Sequence, residues 1–271
     1  MTILVIVFFL KVAMNPLKNK IVFVTGASSG IGKATATQFA AAGAHILICA
    51  RRLEKVETLA KELRAAHGVR THAFRLDVRN QPDVEAALHA LPQEWKNISI
   101  LVNNAGLSRG LDTIQEGTIA DWEEMIDTNV KGLLYVTRAV LPGMIERQEG
   151  HIINLGSVAG HWVYPKGNVY NASKYAVRAL NEGMKMDLLG TPIRVTSVDP
   201  GLVETEFSIV RFNNNTEKAK KVYQGLTPLT PDDIAETIVW TASRPPHVNI
   251  STVVIMPTDQ ASPSLVHRRT S

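Results

Sequence analysis

The segment Lys20–Gly32, KIVFVTGASSGIG, constrains the chain more than any other. A short apolar, β-branched run, Lys20–Thr25, stops at Gly26, the pattern of a strand buried on both faces. From Ile31 to Gly43 small and apolar residues recur at helical spacing, and a second apolar run, Ala44–Ala50, follows at once. Strand, glycine turn, helix and strand in so short a span predict a parallel βαβ unit.

The alternation continues to the end of the chain. Periodicity predicts helices over Leu53–His67, Asp83–Leu91, Thr118–Arg147, Asn171–Leu189 and Pro231–Ser243. Apolar runs predict strands over Arg70–Leu76, Ile98–Asn103, His151–Leu155, Ile193–Val198 and Thr252–Met256. The expected architecture is α/β: a single-domain Rossmann-type doubly wound parallel sheet with helices on both faces. Residues 17–257 form that domain, and the polar tail 258–271 is expected over the surface or over a neighbouring subunit. Residues 201–230 break the rhythm with Gly201, Arg211, Asn213–Asn215 and Pro228, and read as an irregular lid or binding loop.

Composition removes several classes. With 45% hydrophobic and 20% charged residues, a chain of 271 residues has the mix of a globular protein with a large core, which excludes a disordered chain or a disulfide scaffold. Cys49 stands alone in an apolar strand, so it reads as a core thiol, and a reducing, cytoplasmic setting is expected. Lys plus Arg number 29 against 25 Asp plus Glu, scattered along the chain, so nothing points to nucleic acid. The eight histidines lack ligand spacing, and no metal is expected. Residues 1–16 open with the apolar run Ile3–Leu10, far short of the ~20 residues that span a bilayer, and without the marks of a secretory signal. Three readings stand: an extension upstream of a working start at Met14, a weak interfacial anchor, or an extra element packed on the domain.

Glycines in the turn Gly26–Gly32 permit positive φ and let the backbone approach a pyrophosphate, while the helix N-terminus turns free N–H groups toward it. A purely structural turn would look similar, but its place between first strand and first helix favours a dinucleotide held by Gly26, Ser28, Ser29, Gly30, Ile31 and Gly32. The second strand ends in Ala50-Arg51-Arg52 with no carboxylate to take a ribose 2′-hydroxyl. A guanidinium pairs instead with a 2′-phosphate, which predicts NADP with Arg51 as first contact and Arg52 beside it.

Tyr170 and Lys174 are four apart at the start of a predicted helix and so share a face. A free phenol titrates near ~10. An ammonium one turn away is expected to lower that value and to make Tyr170 a proton carrier for a substrate alcohol, with Lys174 also holding ribose hydroxyls. Ser157 ends the fifth strand thirteen residues earlier, at the sheet edge where ligands of open α/β folds collect. Asn103-Asn104-Ala105-Gly106 ends the fourth strand, Pro200-Gly201 ends the sixth, and Asn129 stands inside a long predicted helix.

Together these motifs resemble the short-chain dehydrogenase/reductase family over roughly residues 17–258. The resemblance implies a Ser157–Tyr170–Lys174 centre with Asn129 as fourth member, its carbonyl holding a water that leads from Lys174 to solvent. It implies Asp77 and Val78 at the adenine, Asn104 near the ribose with Ala105 and Gly106 beside it, and Pro200, Gly201, Val203 and Thr205 around the nicotinamide. It further implies a homotetramer. Within the family, stretches such as Glu124–Asn129, Gly167–Tyr170 and Pro200–Ser208 resemble the NADP-dependent 3-hydroxy acid dehydrogenases of the serine/allo-threonine type. Their substrates are short hydroxy acids or semialdehydes.

A hydroxy acid needs a cation for its carboxylate. Arg211 is the candidate, against a reading as a loop brace, and Lys166 is the reserve. Ser157 and Tyr170 would hold the reacting oxygen. Trp95, Trp122 and Trp240 read as packing residues, while Trp162 is a candidate for the pocket wall. Two rivals share these residues: another short-chain ketoreductase, acting on an acyl-carrier thioester, sugar or xenobiotic carbonyl, and a catalytically silent NADP-binding regulator.

Overall fold

The apolar runs form one parallel sheet. In the computed structural model, which describes residues 15–269, its strands are β1 (Ile21–Thr25), β2 (His45–Ala50), β3 (Thr71–Arg75), β4 (Ile98–Asn103), β5 (His151–Leu155), β6 (Arg194–Pro200) and β7 (Thr252–Ile255). The run Ile3–Leu10 and Met14, with the three readings attached to them, lie outside the described residues. The strand order is β3-β2-β1-β4-β5-β6-β7, so the winding reverses between β1 and β4 and a crevice opens beyond their carboxyl ends.

Crossover helices cover both faces: α1 (Gly30–Ala41), α2 (Leu53–His67), α3 (Gln81–His89), α4 (Ile119–Ile126), α5 (Leu133–Arg147), α6 (Asn168–Asp187), α7 (Glu206–Arg211), α8 (Thr216–Tyr223) and α9 (Pro231–Ala242). Successive strand side chains point to opposite faces, and both are covered, which is why β1 is apolar from Ile21 to Val24. Val22 and Val24 pack with Phe39, Val56 and Ile234 from α1, α2 and α9. Phe23 packs on the other side with Val84, Val136 and Met144 from α3 and α5. Cys49 is in that second layer, and burial pushes its thiol up to about 12, as an unreactive core thiol requires.

Two expectations need correction. The long helix expected over Thr118–Arg147 is α4 and α5 joined by a π-helical segment, Asp127–Gly132. Wider turns of this kind recur at functional sites, and Asn129 is in this one. Residues 201–230 are not irregular throughout but carry α7 and α8. Thr205 caps the first by accepting from the Phe207 amide at 3.1 Å, and Asn215 caps the second from Lys218 at 2.9 Å. Helices of six and eight residues are too short for apolar periodicity to announce them.

The tail lies on its own chain. Gln260 is buried and accepts from the Leu202 amide at 2.8 Å, while the Arg268 guanidinium donates to the Val222 carbonyl at 3.0 Å. The Arg269 amide donates to Gly225 at 2.7 Å, so the segment is tied to the end of α8.

Candidate active site

A cavity of about 780 Å³ opens where β1, β4, β5 and β6 end. Every residue the sequence assigned to cofactor, catalysis or substrate lines it, except Gly32, Asn129 and the reserve cation Lys166. Gly32 is packed behind the turn, where a Cβ would come within 2.6 Å of the Gly26 carbonyl oxygen. Gly26 has φ +67°, and a Cβ there would approach the Ala105 backbone to 2.9 Å. Only glycine fits at either position.

The turn fits a dinucleotide phosphate on grounds of its own. Ser29 caps α1 without a side-chain hydrogen bond, and the first turn of α1 carries no acidic residue. Its amides and the positive end of the helix therefore face the cavity with no anion supplied by α1 itself. Arg52 leans over the turn, donating to the Ser28 and Ser29 hydroxyls at 2.9 and 3.0 Å, and pairs with Glu206 at 3.0 Å. Arg51, half-exposed, keeps one partner, Glu124 at 3.3 Å. Glu124 also takes Arg109 at 2.7 Å and Arg79 at 3.3 Å, and these guanidiniums hold its carboxyl below the usual range against burial. The shared glutamate was not apparent from sequence, because its partners come from three separate loops.

On the opposite wall, Ser157 follows β5 and begins a short 3₁₀ turn, accepting from the Ala159 amide at 3.1 Å. Tyr170 and Lys174 enter from the first turns of α6, both more than nine-tenths buried. The Lys174 ammonium donates to the Leu155 carbonyl at 2.8 Å and lies 5.9 Å from the Tyr170 ring centroid. Asn129 is behind them: its amide oxygen accepts from the Leu107 amide at 2.8 Å, and its nitrogen donates to the Leu107 carbonyl at 2.8 Å and to the Ser173 hydroxyl at 3.0 Å. The amide thus fixes the loop after β4 to α6.

The electrostatics correct one expectation. Burial raises the Tyr170 phenol above its ordinary value, and the Ser157 hydroxyl and Arg211 guanidinium pull the other way. Burial also brings the Lys174 ammonium down to about 8. The phenol is raised rather than lowered as expected, because it has lost its water in the enclosed space it shares with Lys174 and Tyr164. At neutral pH the wall therefore carries a protonated phenol, the form that gives a proton to a carbonyl oxygen.

Arg211, at the end of α7, projects into the same cavity. Its guanidinium donates to the Gly110 carbonyl at 3.2 Å and to the Tyr164 hydroxyl, and lies 5.6 Å from the Tyr170 ring centroid. It is both loop brace and cavity-facing cation. Phe207 meets the Tyr170 ring edge-on at 5.6 Å between centroids. Tyr164 and Phe207 are site residues that sequence reading missed, since each sits on a loop or one-turn helix. Lys166 is exposed on a separate patch and does not line the cavity. Trp162 is 45% exposed and stacks on His161 outside it, so it is no pocket wall. Trp240 is also exposed, with Arg244 over its ring at 5.1 Å, and only Trp95 and Trp122 serve as packing.

The short chain dehydrogenase family model matches residues 20–216. The NADP-dependent 3-hydroxy acid dehydrogenase YdfG of Salmonella typhi is 50% identical over 250 residues, 92% of this chain and 99% of that one. Sulfoacetaldehyde reductase 2 of Chromohalobacter salexigens is 46% identical over 242 residues, 89% of this chain and 95% of that one. A serine dehydrogenase solved in closed form with NADP⁺ superposes with TM-score 0.86 at 48% identity, covering 92% of this chain and 100% of that one.

Proposed function

The chain belongs to the short-chain dehydrogenase/reductase family, and from that premise we propose that it is an NADP-dependent oxidoreductase acting on the β-hydroxyl of short 3-hydroxy acids or on the matching semialdehydes. Candidate substrates are serine, allo-threonine, 3-hydroxyisobutyrate and 3-hydroxypropionate. One observation carries the choice of an anionic substrate: the Arg211 guanidinium stands over the Tyr170 ring, in the cavity that Ser157 and Lys174 line.

Bound NADP(H) supplies or accepts the hydride. Gly26, Gly30 and the first amides of α1 would hold its phosphates, and Arg51 and Arg52 would take the 2′-phosphate. Asp77 and Val78 would border the adenine, Asn104 the ribose, and Pro200, Gly201, Val203 and Thr205 the nicotinamide. Ser157 hydrogen-bonds the substrate oxygen and fixes it near the Tyr170 hydroxyl. In reduction Tyr170 gives its proton to that oxygen; in oxidation it removes one. Lys174 stabilises the phenolate left behind, and Arg211 pairs the substrate's carboxylate in a site where an unpaired charge would be costly. The sulfoacetaldehyde reductases among the relatives extend the class of anion to a sulfonate.

Among the described residues no helix is long and apolar enough to cross a membrane. A cytoplasmic homotetramer is the expected state; the exposed Met186, Leu189 and Trp240 give apolar surface for such contacts, and light scattering tests it. The function is tested by following NADP⁺ reduction with serine, allo-threonine, 3-hydroxyisobutyrate, 2-hydroxyethanesulfonate and a neutral secondary alcohol in parallel. Turnover of the anionic compounds is expected. Turnover of the neutral alcohol alone would favour another ketoreductase, and no turnover with any carbonyl or alcohol would favour a silent NADP-binding protein.

A further inference from the structure

Behind the catalytic wall lies a buried carboxyl group that the reaction as described does not use. Asp199, next to last in β6, is 1% exposed. The Ser197 hydroxyl donates to one carboxylate oxygen, and His161 Nε2 is 2.5 Å from the other. The carboxylate packs against the Gly156 peptide so closely that a Cβ on residue 156 would overlap it. Gly156 separates Leu155, whose carbonyl takes the Lys174 ammonium, from Ser157. The Gly156 amide is itself fixed to the Val198 carbonyl at 2.9 Å, and the Ser157 hydroxyl faces the Pro200 carbonyl at 3.4 Å. Both catalytic side chains are thus held on a peptide that Asp199 backs.

We propose that Asp199 is a positioning residue of this centre: its buried carboxylate, held by Ser197 and His161 behind the Gly156 peptide, keeps the Lys174 side chain in its charged form. The inference rests on the reading of Lys174 as partner of the Tyr170 proton carrier.

Two groups face that carboxylate, the Ser197 hydroxyl on one oxygen and His161 Nε2 on the other, and Arg178 Nη1 stands 3.3 Å from His161 Nδ1. The other groups around this cluster are few. Tyr170 is on the same helix as Lys174, Arg178 stands beyond His161, and Arg211 on α7 faces Tyr170 rather than Lys174. Asp199 is the anion that opposes the effect of burial on Lys174.

The test compares wild type with Asp199→Asn, which keeps the shape and removes the charge, and with His161→Gln, which keeps a donor to Asp199. The ¹⁵Nζ resonance of Lys174 is titrated in the unliganded proteins, and the pH profile of carbonyl reduction is measured beside it. In Asp199→Asn both the resonance and the alkaline limb are expected about one pH unit lower. In His161→Gln both remain where wild type has them. Should Asp199→Asn not fold, Asp199→Ser removes the same charge and gives the same readout. A resonance that does not move, or moves up, when the charge is removed overturns the proposal. If wild type itself reduces no carbonyl compound, the proposed function fails, and the resonance still decides the role of Asp199.

Discussion

The Arg211 guanidinium lies 5.6 Å from the centre of the Tyr170 ring and 5.4 Å from that of Tyr164. A cation so placed reaches the acid end of a substrate whose hydroxyl is at Tyr170. Arg211→Ala is expected to raise KM for hydroxy acids by about 10–100-fold, the range for a lost charged hydrogen bond, and to leave neutral carbonyls nearly unchanged. Steady-state kinetics on both kinds of substrate checks this; an equal loss for both marks Arg211 as a loop brace only.

Arg51 and Arg52 differ in what else they hold. Among the described residues Arg51 pairs with Glu124 alone, whereas Arg52 braces Ser28, Ser29 and Glu206. Arg51→Ala is expected to lower kcat/KM for NADPH by about tenfold or more and to spare NADH. Arg52→Ala is expected to weaken both, because it loosens the phosphate turn as well. Kinetics with the two nucleotides separates the variants, and equal use of both by wild type contradicts the assignment.

Lys174 trades stability for function. Its folded value, about 8, lies below the 10.5 of an unfolded lysine, so the unfolded chain binds more protons between those limits. Stability therefore rises with pH through that window and is lowest below it. Lys174→Met is expected to unfold at a temperature about 2–5 °C higher at pH 7, consistent with about 1–2 kcal/mol from removing a buried charge. The difference should shrink as pH approaches 10.5. Carbonyl reduction by wild type should fall as pH rises through about 8, when the ammonium is lost. Scanning calorimetry across pH checks the first; a variant that melts lower than wild type at pH 7 contradicts it.

Much of this site is written locally. The strand–turn–helix at Gly26, the Arg pair ending β2 and the spacing of Tyr170 and Lys174 depend on neighbours within one turn or strand, and periodicity reads them directly. Other parts depend on contacts between distant segments. Asn129 reaches Leu107 and Ser173 from within a π-helical segment that no spacing rule marks. Tyr164 gains its place from Arg211, forty-seven residues away, and Glu124 from arginines at 51, 79 and 109. The buried amide chain from Asn103 through Asn154 to Asn181, at 3.0 Å per link, joins β4, β5 and α6 and looks like three unrelated polar residues in the sequence. Trp162 is exposed for the same reason: nearness in sequence to α6 says nothing about which way the loop turns the indole.

The Tyr170 hydroxyl is the atom through which the proton is proposed to pass. Tyr170→Phe removes that oxygen and little else, and NADP⁺ reduction by allo-threonine, read by the absorbance of the reduced nicotinamide, should fall by about 10²–10⁴-fold. NADPH fluorescence on binding should match wild type in the same preparation. A variant that binds NADPH and still turns over at the wild-type rate would show that the proton takes another route.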